Sequence, residues 1–178
     1  TVLVWDATTA QEVRAFKGHD FTIWGVAFSP DGRHLASCSA DSTVCIWDYT
    51  TGAELPAVRL QHAGRVASVV FSRDGKMLAA ANFDGTARVW NLASREERLM
   101  LRPHAIVVGV AFSPDGHLLA TSGTDGTVKI WNLSTGGEVR SLAGHLGTVT
   151  RVAFSPDGKL LASAGFDNTA RLWDVSTG

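Results

Sequence analysis

The chain has 178 residues, 45% of them hydrophobic, and its 16 basic and 17 acidic side chains leave a net charge of -1. This is apolar enough to bury a core, and with no Lys/Arg cluster longer than a pair it lacks the electrostatic footprint of a nucleic-acid binder. No apolar run approaches the roughly 20 residues that span a bilayer, so a soluble, cytoplasmic protein with no nucleic-acid or membrane partner is expected.

The chain opens on Thr1 rather than Met and its first element begins at once, as expected of a fragment or a processed chain. Thr1 to Asp6 reads as a strand. After it, Thr22 to Phe28 is an apolar strand, Ser29 to Gly32 a turn, and His34 to Ser39 a second strand. Asp41-Ser42 is then a tight turn and Thr43 to Asp48 a third strand. Glu54 to Leu60 is a more polar run, as expected of an outer edge strand facing solvent. Cys38 and Cys45 are too few for a disulfide framework, so reduced thiols are expected. They also lie symmetrically about Asp41-Ser42, and a hairpin centred there would set them opposite each other, which leaves a cross-strand disulfide open.

This order recurs. The pairs Trp5-Asp6, Trp47-Asp48, Trp90-Asn91, Trp131-Asn132 and Trp173-Asp174 are 42, 43, 41 and 42 residues apart. Segments reading FSPDG, FSRDG, FSPDG and FSPDG begin at Phe28, Phe71, Phe112 and Phe154, each 19 residues before the next Trp. The units are approximately 1–18 (partial), 19–60, 61–102, 103–143 and 144–178. One such unit is too thin to bury both its faces, so neighbours must stack. Near-continuous apolar inner runs such as Val107 to Phe112 indicate sheets covered on both sides, and radial stacking into a propeller meets that demand.

In these motifs the chain resembles the WD-repeat β-propeller family over its whole length. The resemblance implies an all-β fold of four-stranded antiparallel blades, about four per chain. The family's Gly-His pair is present as Gly18-His19 and Gly144-His145, and as Gln61-His62 and Pro103-His104 in the middle units. Each turn Asp (Asp41, Asp84, Asp125, Asp167) precedes its Trp (Trp47, Trp90, Trp131, Trp173) by 6 residues. The resemblance implies a hydrogen-bonded chain in each unit from the Trp ring nitrogen through a hydroxyl and the His to the Asp. The hydroxyl falls at Ser37, Thr121 and Ser163, whereas the second unit has Ala80.

A hydrolase triad is a poor reading of His, Ser and Asp that recur in nearly every unit without a nucleophile elbow. The histidines lack metal-site spacing and no Gly-rich loop opens a helix, so neither metal nor cofactor is expected. An enzyme on a propeller frame would need a unique acidic or His cluster that breaks the repeat. The function that the family resemblance implies is a non-catalytic interaction scaffold that binds a protein or peptide at the channel mouth. The candidate residues there are Trp24, Phe83, Phe166 and Thr150, with Arg65 and Arg151 near the same edge to meet acidic groups. Residues 169–178 repeat 1–10, giving one spare third strand. Two chains closing an eight-bladed ring, with Val13 to Lys17 completing the partner's last blade, and a piece of a longer seven-bladed protein are both open. A repeat fragment whose main property is self-assembly is the alternative function.

Overall fold

A computed structural model describes residues 1–51 and 54–178, with residues 54–59 described by their backbone alone. The described residues form seventeen strands, and every pairing between them is antiparallel. The first sheet pairs β1 (Val2–Trp5) with β2 (Glu12–Phe16). Blade 1 holds β3 (Ile23–Phe28), β4 (His34–Ser39), β5 (Thr43–Asp48) and β6 (Glu54–Gln61). Blade 2 holds β7 (Val66–Phe71), β8 (Met77–Asn82), β9 (Ala87–Asn91) and β10 (Glu97–Leu101). Blade 3 follows with β11 (Val107–Phe112), β12 (Leu118–Gly123), β13 (Thr127–Asn132) and β14 (Glu138–Ala143). Blade 4 ends the chain with β15 (Val149–Phe154), β16 (Leu160–Gly165) and β17 (Ala170–Asp174).

The turn from the first to the second strand of each blade is built from its own Ser and Asp. The hydroxyls of Ser29, Ser72, Ser113 and Ser155 donate to the Asp two residues on, at 2.5 to 2.6 Å. The same Asp accepts a backbone N–H from the residue after the Gly, which takes the left-handed conformation (φ 67 to 73) that glycine adopts without a Cβ clash.

The second turn corrects the cysteine geometry. Ser42, Gly85, Gly126 and Asn168, each directly after the turn Asp, all have positive φ. The extra left-handed residue moves the register by one position, so Cys38 lies opposite Val44 and Cys45 opposite Ser37. A one-residue shift reverses which face a side chain occupies. Cys38 accordingly packs with Val44 and Ile46 against blade 2, while Cys45 packs with Trp47 and Phe16 on the other side. No cross-strand disulfide joins them, and burial pushes the Cys38 thiol up to about 12.

The core lies between blades. Ala36, Val44 and Ile46 of blade 1 meet Val69, Leu78 and Trp90 of blade 2. Ala79, Ala81 and Val89 of blade 2 meet Val110, Leu119 and Trp131 of blade 3. Val128 and Ile130 of blade 3 meet Leu161 and Trp173 of blade 4. Each fully buried aliphatic side chain there contributes about 1.5 to 3 kcal/mol. The stack is open at both ends. Val26 is 53% exposed where its repeat equivalent Val69 is 3%, and Leu172 is 67% exposed where Ile46 is 2%. At the first end β1 and β2 cover Leu35 and Trp47 with Ile23 packed beside them, while Trp24, Val26 and Phe28 of the inner strand β3 stay exposed. Within the single chain β2 is hydrogen-bonded to β1, so for Val13 to Lys17 to complete another chain's last blade, a strand of that chain would have to take the place of β1.

Candidate functional site

Three of the four blades carry a continuous polar chain from the blade interior to the rim. In blade 1 the Trp47 indole donates to Ser37 Oγ at 2.8 Å, Ser37 Oγ is 2.8 Å from His19 Nε2, and His19 Nδ1 is 2.7 Å from Asp41. Blade 3 repeats this with Trp131, Thr121, His104 and Asp125 at 3.0, 3.2 and 2.9 Å. Blade 4 repeats it with Trp173, Ser163, His145 and Asp167 at 2.8, 2.8 and 2.9 Å. An indole N–H only donates and a carboxylate only accepts, so with a neutral imidazole the direction is fixed from Trp to Asp and the His proton lies on Nδ1.

The carboxylate at the rim also ties loops together. Asp41 accepts the backbone N–H of Asp20 and Asp167 that of Leu146, so each fixes the loop that enters the inner strand. Burial pushes these acids upward, but hydrogen bonds outweigh it. For Asp41 the donors are Thr43 and His19, for Asp125 His104 and Thr127, and for Asp167 Leu146 N–H and Thr169, and all three carboxyls sit below the usual range.

Blade 2 departs from the pattern. With Ala80 in place of the hydroxyl, neither nitrogen of the buried His62 has a hydrogen-bond partner among the described residues. The imidazole sits 5.0 Å from Trp90, edge to face, against 6.3 and 6.5 Å for the equivalent pairs in blades 1 and 4. Asp84 faces Arg88 at 3.8 Å and takes the Thr86 hydroxyl at 2.6 Å. Burial, with Arg88 adding to it, pushes His62 down to about 4.

The rim holds the expected aromatic residues in two separate places. Trp24 of β3, 48% exposed, stacks obliquely on Phe83 of blade 2 with ring centroids 5.9 Å apart. Phe83 is fixed there by its N–H, which donates to the Arg65 carbonyl at 2.8 Å. Phe166 stands apart on blade 4, 75% exposed. Thr150 turns its hydroxyl onto the Ala164 carbonyl at 3.1 Å, and the exposed Arg151 folds back onto the Thr150 carbonyl. Phe21 and Leu146, also exposed, sit within two residues of His19 and His145. Sequence reasoning passed over both, although their place beside the rim histidines was a usable signal. Among the described residues, no three His, Cys, Asp or Glu side chains gather as a metal-binding group, and no helix is long and apolar enough to cross a membrane.

Comparison with known proteins places these observations in a family. Stretches of the chain are similar to the protein named "Probable cytosolic iron-sulfur protein assembly protein CIAO1 homolog" of Chlamydomonas reinhardtii, with 52% identity over 42 residues, 24% of this chain and 12% of that protein. Striatin-4 of Homo sapiens is 62% identical over 32 residues, 18% of this chain and 4% of that protein. Transcription initiation factor TFIID subunit 5 of Caenorhabditis elegans is 37% identical over 67 residues, 38% of this chain and 10% of that protein. The matches thus span an eighth or less of these relatives' lengths. The family described as IFT122 first beta-propeller matches residues 1–178. With its blades, its repeated Trp-to-Asp chains and a match along its full length, the chain belongs to this family of WD-repeat β-propellers.

Proposed function

We propose that the chain is a non-catalytic scaffold that binds a peptide or protein at the rim carrying Trp24, Phe83, Phe166, Thr150, Arg65 and Arg151. The observation that supports this best is the Trp24–Phe83 pair. Two large rings meet across a blade boundary at 5.9 Å while one of them stays half exposed. Rigid aromatics of this kind anchor protein interfaces because they bury much area at little entropic cost. Arg65 and Arg151 are exposed near the same edge and supply charge for an acidic residue of the partner. With no long apolar helix among the described residues, a cytoplasmic setting is part of the same reading. The test is selection of 12-residue displayed peptides on the whole chain, followed by counter-selection on Trp24→Ala and Phe166→Ala. Peptides that bind the parent chain and lose binding to the variants support the rim. Peptides indifferent to both substitutions remove it.

A second reading rests on the open ends, where Val26 and Leu172 stay exposed while their equivalents elsewhere are buried. Two chains would close one eight-bladed ring through these faces, β17 of one chain taking the place of β1 of the other. A solution mass twice 18.9 kDa that persists on dilution supports it, and a monomer mass excludes it.

A further inference from the structure

On the face of the stack opposite the rim, the turns of blades 2 and 3 line a groove of about 380 Å³. Three of its residues break the internal repeat. Arg73 stands where the other units have Pro30, Pro114 and Pro156. Arg98 stands where they have Val13, Leu55 and Val139, and Met77 where they have His34, Leu118 and Leu160. The fold does not require these changes, because the other blades make the same turns and strands without them. All three nonetheless line one groove.

The arginines are also available. Among the described residues neither has a carboxylate within ion-pair distance, in contrast to Arg88, which pairs with Glu97 at 3.0 Å. Arg98 lays its guanidinium 3.3 Å from the Met77 sulfur, a weak acceptor that leaves its donor capacity largely unused. The two carboxylates of the groove are committed elsewhere. Asp74 accepts Ser72 Oγ and Lys76 N–H, and Asp115 accepts Ser113 Oγ and His117 N–H. Below them Met77 and Leu133 form a buried apolar floor.

We infer that this groove is a second binding site, which takes an extended protein segment carrying a single acidic side chain flanked by apolar ones. The carboxylate would accept from the guanidinium groups of Arg73 and Arg98, and the neighbouring aliphatic side chain would cover Met77 and Leu133. The two aspartates, both held below the usual carboxylate range by their turn hydrogen bonds, set the charge limit: one acid is accommodated and a polyanion is repelled. The site is independent of the rim.

The chain's only methionines are Met77 and Met100, so [13Cε]methionine labelling gives one methyl signal in the groove and one exposed control on the neighbouring edge. The whole chain is titrated with the blocked peptide acetyl-Ser-Leu-Glu-Leu-Ser-amide and with its Gln counterpart. The Glu peptide is expected to shift Met77 and not Met100, and to bind about tenfold more tightly than the Gln peptide, as for loss of one charge-assisted hydrogen bond. The double variant R73P/R98V restores the residues of the other repeats. It should keep the β-sheet spectrum and lose the shift. Equal shifts from both peptides, no shift of Met77, a shift that survives in R73P/R98V, or a stronger response to a single-stranded oligonucleotide would each overturn the assignment.

Discussion

The His62 imidazole stands edge-on to the Trp90 indole with ring centroids 5.0 Å apart, and the hydroxyl that separates the equivalent rings in the other blades is absent. Ala80 occupies that position, fully buried. Ala80→Ser should therefore supply a partner to both rings. A stability gain of about 1 kcal/mol is expected, the worth of a hydrogen bond formed by groups already buried. Urea unfolding of the variant beside the parent chain measures it. A loss of stability would mean that blade 2 has closed over the space a hydroxyl needs.

The converse change tests the intact chain in blade 1. Ser37→Ala leaves the Trp47 N–H and His19 Nε2 without their shared partner. Buried groups left unsatisfied cost about 1 to 3 kcal/mol each, so a loss of about 2 kcal/mol or more is expected. An effect under about 0.5 kcal/mol would show that alanine at this position is tolerated in any blade.

Stability should fall in two separate pH ranges. His62 takes up a proton near 6.5 in the unfolded chain but only at about 4 in the folded one. The unfolded state thus binds more protons between these values, and stability drops as the pH is lowered from about 7 to 4, by about 3 kcal/mol in all. Below about 4 a second loss begins, because Asp41, Asp125 and Asp167 hold their charge more strongly when folded than when unfolded. In His62→Gln the first loss should vanish while the second remains. Urea midpoints taken at half-unit pH steps resolve the two.

Most of this architecture was legible because the same residues return in phase. The strands His34–Ser39 and Thr43–Asp48 begin and end where turn chemistry and apolar runs place them. The facing of the cysteines was not legible. It depends on one left-handed residue, and Ser42 carries no mark of that conformation comparable to Gly85 or Gly126 at the same place in other units. The Ala80 substitution announced a broken chain in blade 2, but not that His62 would close on Trp90 and Asp84 turn to Arg88, since both are responses of packing. Aromatic rim positions were also visible in the sequence. Their division into a Trp24–Phe83 pair and a separate Phe166 depends on which blades adjoin, which repeat spacing alone does not convey.

Gly123 offers a test of how tightly the rim loops are seated. A Cβ there would come within 2.4 Å of the His104 ring and 2.7 Å of the Ile106 carbonyl. Gly123→Ala should therefore displace His104 from Asp125 and cost about 2 to 3 kcal/mol, in the range for overpacking. The displacement should appear as changed chemical shifts of the His104 ring by NMR. A variant with parent-like stability and an unchanged His104 signal would show that the loop has room to retreat.

Each complete Trp-to-Asp chain draws all its members from one blade. In blades 1, 3 and 4 the Trp, hydroxyl, His and Asp of each chain satisfy one another, and the buried clusters that join neighbouring blades are apolar. A segment of this kind is a self-sufficient module of inheritance. Duplicating it copies a finished hydrogen-bond circuit, and losing one member, as in blade 2, harms no neighbour. The lineage can thus lengthen by whole units and let single units drift, and the drifting unit is where new specificity arises at the least risk to the rest.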